Sequence, residues 1–127
     1  MKAIKKEEVS DYCAMVNIDS VGMGAPEVLE NMSSESLIRR AVDIAKRINP
    51  PLSRVTINGA DADSSSFVSR RIPAITIAAI SNGWQQILHS DNDQVARVNA
   101  LSVYIGYRLA LALVGELHNL PCDVSRK

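Results

Sequence analysis

The chain has 127 residues, of which 46% are apolar and 22% are charged, a composition typical of one soluble globular domain. Its 14 basic residues balance its 14 acidic residues, so the cationic surface of a nucleic-acid-binding protein is not expected. No run of about 18 apolar residues predicts a membrane span, and the amino-terminal sequence lacks the apolar core of a signal peptide. We therefore expect either a cytoplasmic protein or a piece of a larger one whose location the sequence does not give.

The first half of the chain alternates β-prone and helical patterns. An apolar run at residues 12–21 predicts a buried strand that ends at a glycine loop, with a short extra strand near residues 27–29. Residues 33–51 contain a predicted helix that Ser33 or Ser34 can cap and that two prolines end. Its apolar face is formed by Leu37, Ala41, Ile44 and Ile48.

The second half repeats this alternation. Residues 53–58 predict a strand, residues 64–71 a short helix, and residues 72–80 a strand covered on both faces, because its apolar run does not alternate. A polar loop follows, and residues 93–121 predict a long helix. Its expected inner stripe is Val95, Val98, Ser102, Ile105, Leu109, Ala112 and Leu113. The whole chain is therefore expected to be one α/β domain, with helices packed on a small mixed sheet of about three or four strands.

Polar residues stand where the predicted strands end. Asp19 follows the first strand, Asp63 follows the strand at mid-chain, and His89 follows the last apolar strand. Ligands of open α/β sheets collect outside the carboxyl ends of strands, where a carboxylate and an imidazole can bind zinc. Asp91 or Asp93 can orient the imidazole. The same residue types are also ordinary in polar loops and turn caps, so the pattern alone leaves a structural role open.

Motifs of several other site classes are absent from the sequence. There is no phosphate-binding GxxxxGK or GxGxxG loop and no GxSxG elbow of a serine hydrolase. The stretch "DADSSS" begins like a calcium loop, but Ser66 replaces the turn glycine and Ile72 occupies the position of the bidentate glutamate.

The two cysteines are too few for a disulfide framework, and no CxxC motif is present. Cys13 lies in an apolar run and is expected to be a small core residue, whereas Cys122 follows Pro121 in the polar tail. The sequence leaves a bridge between these two cysteines open.

The order of the motifs resembles the C-terminal half of the M28 family of zinc aminopeptidases. "NIDSVG" matches the family pattern N-x-D-x-x-G after a strand, and "DSSSF" followed by Ile72-Pro73 matches D-H-x-x-F before G-I-P. "LHSDND" matches Y-H-T-x-x-D before the final helix. The resemblance covers roughly residues 12–118 and implies a partial three-layer sandwich of the zinc-peptidase type.

The resemblance also implies roles for individual residues. Asp19 corresponds to a ligand of one zinc ion and His89 to a ligand of the other, while Asp93 corresponds to an aspartate that shapes the loop. Asp63 and Phe67 correspond to the segment that lines the substrate pocket. The complete family enzymes hydrolyse the N-terminal peptide bonds of their substrates with a zinc-activated water.

Several departures from the family pattern bear on activity. The remaining ligands (a histidine, a bridging aspartate and a glutamate) and the general-base glutamate belong to a segment that would precede residue 1. Glu7-Glu8 lies too close to the first strand to supply that pair. Ser64 replaces the histidine of D-H, and Leu88 replaces a tyrosine that can help to stabilise the oxyanion. We therefore expect weak or absent zinc binding and no catalysis by this chain alone.

The loss of the other half would expose a strand edge and apolar surface. We therefore expect a homo-oligomer or a complementary N-terminal half as the partner, with peptides as substrates once the site is complete.

Three alternatives stay open at this point. The related M20 peptidases share the same rhythm of motifs. A non-catalytic interaction or assembly domain can use the same scaffold, with Asp19 and His89 as ordinary capping and loop residues. An unrelated small enzyme that uses His89 with Asp91 or Asp93 as acid and base has little support, because no nucleophile or cofactor motif accompanies them.

Overall fold

The computed structural model describes residues 4–80 and 82–126, which form a four-stranded mixed sheet with helices on both faces. This confirms the predicted α/β class and the small mixed sheet. The strands are β1 (Met15–Ile18), β2 (Glu27–Leu29), β3 (Ser53–Val55) and β4 (Ala74–Ala78). The helices are α1 (Glu35–Ile48), α2 (Asp63–Val68), α3 (Ala100–His118) and α4 (Cys122–Ser125), with short 3-10 turns at Lys6–Asp11, Glu30–Met32, Trp84–Gln86 and Val95–Arg97.

The strands lie in the order β1-β4-β2-β3, so β4 is central and β1 is at an edge. β1 pairs parallel to β4 with Val16 opposite Ile75, and β2 pairs antiparallel to β4 with Val28 opposite Ile77. β3 runs parallel to β2 and forms the other edge. Every residue of β4 is buried, which confirms the prediction of a strand covered on both faces.

One face of the sheet carries the apolar core beneath α1 and α3. Fully or almost fully buried side chains from the sheet and both helices form it: Val28, Leu37, Ile44, Ile75, Ile77, Leu109 and Leu113. Each fully buried leucine or isoleucine contributes about 1.5–3 kcal/mol of hydrophobic stabilisation. The predicted face of α1 is confirmed, because Leu37, Ala41 and Ile44 are buried and Ile48 packs against the same cluster.

Helix α2 covers the opposite face through hydrogen bonds between buried hydroxyl groups. The Ser64 and Thr76 side chains are fully buried, and their oxygens lie 2.6 Å apart. Ser64 also donates to the Met32 carbonyl at 2.6 Å, and the Asn17 amide donates to Thr76 at 3.1 Å. Ser64, which stands where the M28 pattern has histidine, therefore joins α2 to β4 through its hydroxyl group.

The long helix begins later than the sequence predicted. Asn99 is its N-cap, and its side-chain oxygen accepts hydrogen bonds from the amides of Leu101 and Ser102. The predicted inner stripe is correct at Ser102, Leu109 and Leu113, which are buried. It is wrong at Val95 and Val98, which precede the cap and are 89% and 48% exposed.

Three other features of the fold differ from the sequence predictions. β1 is shorter than the predicted strand at residues 12–21, and the tail contains helix α4, which was not predicted. Ser34 is the N-cap of α1, as one of the two predicted candidates, but its hydroxyl accepts a hydrogen bond from the Ala74 amide and not from its own helix.

A disulfide joins Cys13, just before β1, to Cys122 in α4. The pairing that the sequence left open is therefore formed, and Cys13 is a partly buried disulfide residue and not a free core residue. The Ser125 hydroxyl donates to the Cys13 carbonyl at 2.7 Å, and the Arg126 guanidinium donates to the Tyr12 carbonyl at 2.7 Å. Disulfides persist mainly in oxidising compartments, so this bond bears on the expected cytoplasmic location, which stays a prediction.

Replacing the buried threonine of β4 tests the hydroxyl network. We expect Thr76→Val to lower the free energy of unfolding by about 1–3 kcal/mol, because it leaves the Asn17 amide and Ser64 with fewer partners inside the protein. Urea denaturation followed by circular dichroism measures the change. Ser66→Ala on the exposed side of α2 is the matched control and should shift the value by less than about 0.5 kcal/mol. Equal midpoints for Thr76→Val and the parent would contradict the network.

Reducing the disulfide tests its contribution to stability. The bond closes a loop with a sequence separation of 109 residues, so its loss frees a large part of the unfolded chain. We expect reduction to lower the free energy of unfolding by about 2–4 kcal/mol. The double variant Cys13→Ser/Cys122→Ser is the control, since it should match the reduced parent and should not respond to reductant.

Candidate functional site

The two residues that the sequence nominated as metal ligands line the same cavity. Asp19 follows β1 and His89 lies in the loop after β4, and both border a cavity of about 310 Å³. Asp61 contributes a second carboxylate to the same wall. The apolar part of the lining comprises Leu29, Met32, Ile57, Ala78, Ile80, Trp84 and Leu88. The cavity thus combines three ionisable side chains with an apolar floor and wall, a usual composition of small-ligand sites.

Asp19 is positioned by the pairing of β1 with β4. Its amide donates to the Ile77 carbonyl at 3.0 Å, which extends the parallel ladder one residue beyond β1. The Ser20 hydroxyl donates to a carboxylate oxygen of Asp19 at 2.9 Å. The Met23 amide then donates to the Ala79 carbonyl at 3.0 Å, so the loop after Asp19 stays joined to β4.

Gly22 allows this loop to pack against the segment before α3. Its φ is 114°, and a Cβ atom on it would lie 2.8 Å from a methyl carbon of Val98. Its amide donates to the Ser102 hydroxyl at 3.1 Å, and its carbonyl accepts from the Asn99 amide at 2.8 Å. Only glycine combines this φ with so close an approach, so the glycine of N-x-D-x-x-G has a structural reason here.

His89 is exposed and adopts a left-handed backbone conformation, with a φ of 60°. The turn around it is closed by hydrogen bonds from the Leu88 amide to the Trp84 carbonyl and from the Ser90 amide to the Ile87 carbonyl. Ser20, which also lines the cavity, has a φ of 52°. This conformation is unfavourable for residues with a Cβ atom, and such strain often occurs at functional sites.

Strain of this kind elsewhere in the described chain has a local explanation. Asn49 has a φ of 59° because it terminates α1, where asparagine in this conformation is common. Arg71, with a φ of 61°, lies in the turn that leads from α2 into β4. His89 likewise lies in a hydrogen-bonded turn after Trp84–Gln86, and Ser20 lies in the loop after β1; these two residues differ from Asn49 and Arg71 in that both border the cavity.

Asp61 is a site residue that the sequence reasoning missed. Hydrogen bonds from the Ser65 side chain and the Ala62 amide lower the pKa of its carboxyl group below the usual value, so the group stays ionised into mildly acidic solution. In the sequence, Asp61 stands in "GADAD", two residues before Asp63, which was the residue predicted to line the substrate pocket. The M28 pattern directed attention to Asp63 because that residue precedes Ser64 as the family's aspartate precedes its histidine.

Asp63 and Phe67 occupy different surroundings from the two nominated ligands. Asp63 is exposed and lines a neighbouring polar groove, which shares Asp19 and Asp61 with the main cavity. Phe67 packs edge to face on Tyr12, with ring centroids 6.4 Å apart, and borders neither cavity. The substrate-pocket role of both residues stays a prediction. Asp63 is the better placed of the two, because its groove adjoins the main cavity.

Asp91 and Asp93 are both exposed. The Asp93 amide donates to the Ser90 carbonyl at 3.0 Å, so its backbone helps to close the turn after His89.

The metal-binding side chains of the described residues can be compared with a complete zinc site. Catalytic zinc in proteins generally has three protein ligands and a water. Within residues 4–80 and 82–126, no group of three or more histidine, cysteine, aspartate or glutamate side chains is arranged to hold a metal ion. Asp19, Asp61 and His89 border one cavity but do not form such a group, and the zinc site stays a prediction.

Comparisons with known proteins give no family. No protein-family model matches the chain, and no curated protein sequence matches it significantly. The resemblance to the M28 family therefore rests on the sequence motifs alone.

The strained histidine can be tested through stability alone. At an ordinary helical or extended position, glycine is less stable than alanine by about 0.5–1 kcal/mol. At residue 89 we expect the opposite sign, with His89→Gly more stable than His89→Ala by about 1 kcal/mol, because only glycine adopts this φ without strain. Urea denaturation of both variants measures the difference. The same pair of substitutions at Gln86, an exposed residue of the preceding 3-10 turn, is the control and should show the ordinary sign.

Proposed function

We propose that this chain is the C-terminal portion of an M28-like, aminopeptidase-type zinc metallopeptidase domain. In this proposal Asp19 and His89 each supply one ligand to a pair of neighbouring zinc ions. The observation that carries the proposal is that both residues border one cavity, although 69 positions separate them and they follow different strands. The order of the sequence motifs predicts the same pair.

The remaining wall of the cavity is compatible with a peptide substrate. Leu29, Met32 and Trp84 provide apolar surface for a side chain, and the ionised carboxylate of Asp61 can attract a positively charged amino group. Leu88 also lines the cavity, at the motif position where the family has tyrosine. A leucine offers no hydroxyl group to a developing oxyanion. An M20-type peptidase or deacylase would use the same pair of residues in a similar way.

We propose that the chain alone does not hydrolyse peptides. The family's bridging aspartate, its remaining ligands and its general base have no counterparts among the motifs of this chain, and the described donors do not complete a zinc site. A second protein segment would have to supply them. The contribution of this chain is then to place one carboxylate and one imidazole at fixed positions and to provide the apolar wall.

A second candidate function is a non-catalytic assembly domain on the same scaffold. Helix α3 favours it, because Leu101, Tyr104, Tyr107, Leu111 and Val114 are exposed along its outer side. Such a domain would need neither ligand, and Asp19 would be an ordinary residue that accepts a hydrogen bond from Ser20.

Zinc titration of the imidazole signals separates the two functions. The chain has two histidines, and His118 at the end of α3 borders a different cavity, which makes it an internal reference. We expect millimolar zinc to shift the ¹H–¹⁵N NMR signals of His89 before those of His118. Asp19→Asn should weaken the His89 response by about tenfold, because it removes a negative charge from the wall of the cavity where the two neighbouring ions would bind.

Matched variants complete this experiment. Asp43→Asn, a change of the same kind on the exposed side of α1, should leave the His89 response unchanged, and so should His118→Ala. If His89 and His118 respond equally, or if Asp19→Asn has no effect, the peptidase proposal fails and the assembly function is favoured.

A further inference from the structure

Exposed large apolar side chains are concentrated in α3 and in the segments beside it. The large apolar residues with the greatest exposure are Tyr12, Ile18, Val95, Val98, Leu101, Tyr104, Tyr107, Leu111 and Val114. All except Tyr12 lie at the end of β1, on α3 or in the segment that leads into α3. We define the open-edge surface as strand β1 together with Tyr107, Leu111 and Val114 of α3.

The backbone of β1 has an open side. The Met15 amide donates to the Pro73 carbonyl at 2.8 Å and the Asp19 amide to the Ile77 carbonyl at 3.0 Å, so these alternate residues face β4. The amide and carbonyl groups of Val16 and Ile18 therefore point away from β4. No strand among the residues that the structure describes pairs with that side, so β1 can accept a further strand.

An apolar groove runs beside this open strand. It has a volume of about 420 Å³ and is lined by Cys13, Ala14, Val16, Val114, Leu117, His118 and Leu120. Ala14 and Val16 pack against the core beneath α1 and α3, so the groove lies on that face of the sheet. The other flank of α3 is joined to α1, because Glu116 forms ion pairs with Arg40 and Arg47.

We propose that the open-edge surface binds a second copy of this chain, with the two β1 strands antiparallel and the two α3 helices side by side. Antiparallel pairing about Asn17 would place Val16 of one copy opposite Ile18 of the other, and the backbone groups that point outward would then bond to each other. The two-fold axis of this pair is perpendicular to the sheet, so the faces that carry α3 lie on the same side of the combined sheet in both copies. Ala14, Val16 and Ile18 of each copy would thus lie next to apolar groups of the partner, as an isologous interface requires.

The charges of the chain permit this pairing. The formal net charge is zero, so two copies do not repel each other at long range. The side chains of the open-edge surface are uncharged, and the Arg108 guanidinium lies over the Tyr104 ring, 5.7 Å from its centre. In the antiparallel arrangement the Asp19 carboxylates of the two copies follow opposite ends of the paired strands, about 13 Å apart along them. A parallel arrangement would place these two carboxylates side by side.

A lipid membrane is less suited to this surface. Helix α3 is long and apolar enough to cross a membrane by length and composition, and 28% of its most apolar window is buried inside the protein. Its inner residues Leu109 and Leu113 are fully buried in the core, so the helix is packed as part of the domain. A lipid surface would also leave the backbone groups of Val16 and Ile18 unpaired, at a cost in free energy. A strand from the second copy satisfies both the backbone and the apolar side chains.

Sedimentation equilibrium across a concentration range tests the proposal. We expect the parent to be a dimer whose dissociation constant rises at least about tenfold in Val114→Glu, because the change buries an unpaired charge. Val95→Glu introduces the same charge at a position that is 89% exposed and outside the open-edge surface, so it should leave the dimer unchanged. Ile18→Pro should also weaken the dimer, since the amide it removes faces away from β4.

The outcomes distinguish this proposal from the proposed function. Urea denaturation shows whether each variant is folded, and the zinc response of His89 should be the same in Val114→Glu and the parent. A parent that is monomeric at all concentrations overturns the proposal, whether it then binds neutral phosphatidylcholine vesicles or a separate polypeptide. A dimer that withstands both Val114→Glu and Ile18→Pro overturns it as well.

Discussion

The parallel pairing of β1 with β4 is the constraint on which the site depends. Two parallel strands end at the same edge of a sheet, so the residues that follow them are close in space although they are far apart in sequence. Asp19 extends this ladder by one hydrogen bond, and the loop that contains His89 begins just after β4. Since β4 also pairs with β2, the other side of β1 is left as the open edge of the sheet.

The register of this strand pair is specified by a buried polar network. Thr76 faces α2 and bonds to Ser64 and Asn17, while its neighbours Ile75 and Ile77 face the apolar core on the other side. A shift by one residue would turn the hydroxyl into the apolar layer and both isoleucines away from it, at a cost of several kcal/mol on the scale of burial and unsatisfied polar groups. The network therefore fixes where β1 ends relative to β4, and with it the position of Asp19.

The sequence predicted features that depend on local periodicity and missed those that depend on contacts at a distance. β4 and α1 were predictable because a continuous apolar run and a helical apolar face describe their burial directly. The start of α3 was not, because Asn99 caps the helix within a segment whose apolar spacing continues through Val95 and Val98. In the site, reasoning from strand ends brought Asp19 and His89 together. Asp61 was missed because the M28 pattern points to Asp63, two residues later in the same segment, and no local periodicity shows which of the two faces the cavity.

The cavity and the apolar groove beside β1 lie on opposite faces of one sheet, although Asn17 and Ile18 of β1 also border the polar groove next to the cavity. Ala78 of β4 borders the cavity, whereas Ile77 packs under α1 and α3 on the face where the apolar groove lies. Occupation of the open edge by a second copy would therefore not fill the cavity. The strained backbone of Ser20 and His89 has a cost of about 1–3 kcal/mol per residue. Backbone hydrogen bonds hold both segments, from the Ala79 amide to the Ser20 carbonyl and from the Leu88 amide to the Trp84 carbonyl. A domain used only for assembly through β1 and α3 would gain nothing from that strain, so its presence at the cavity favours a role for the cavity itself.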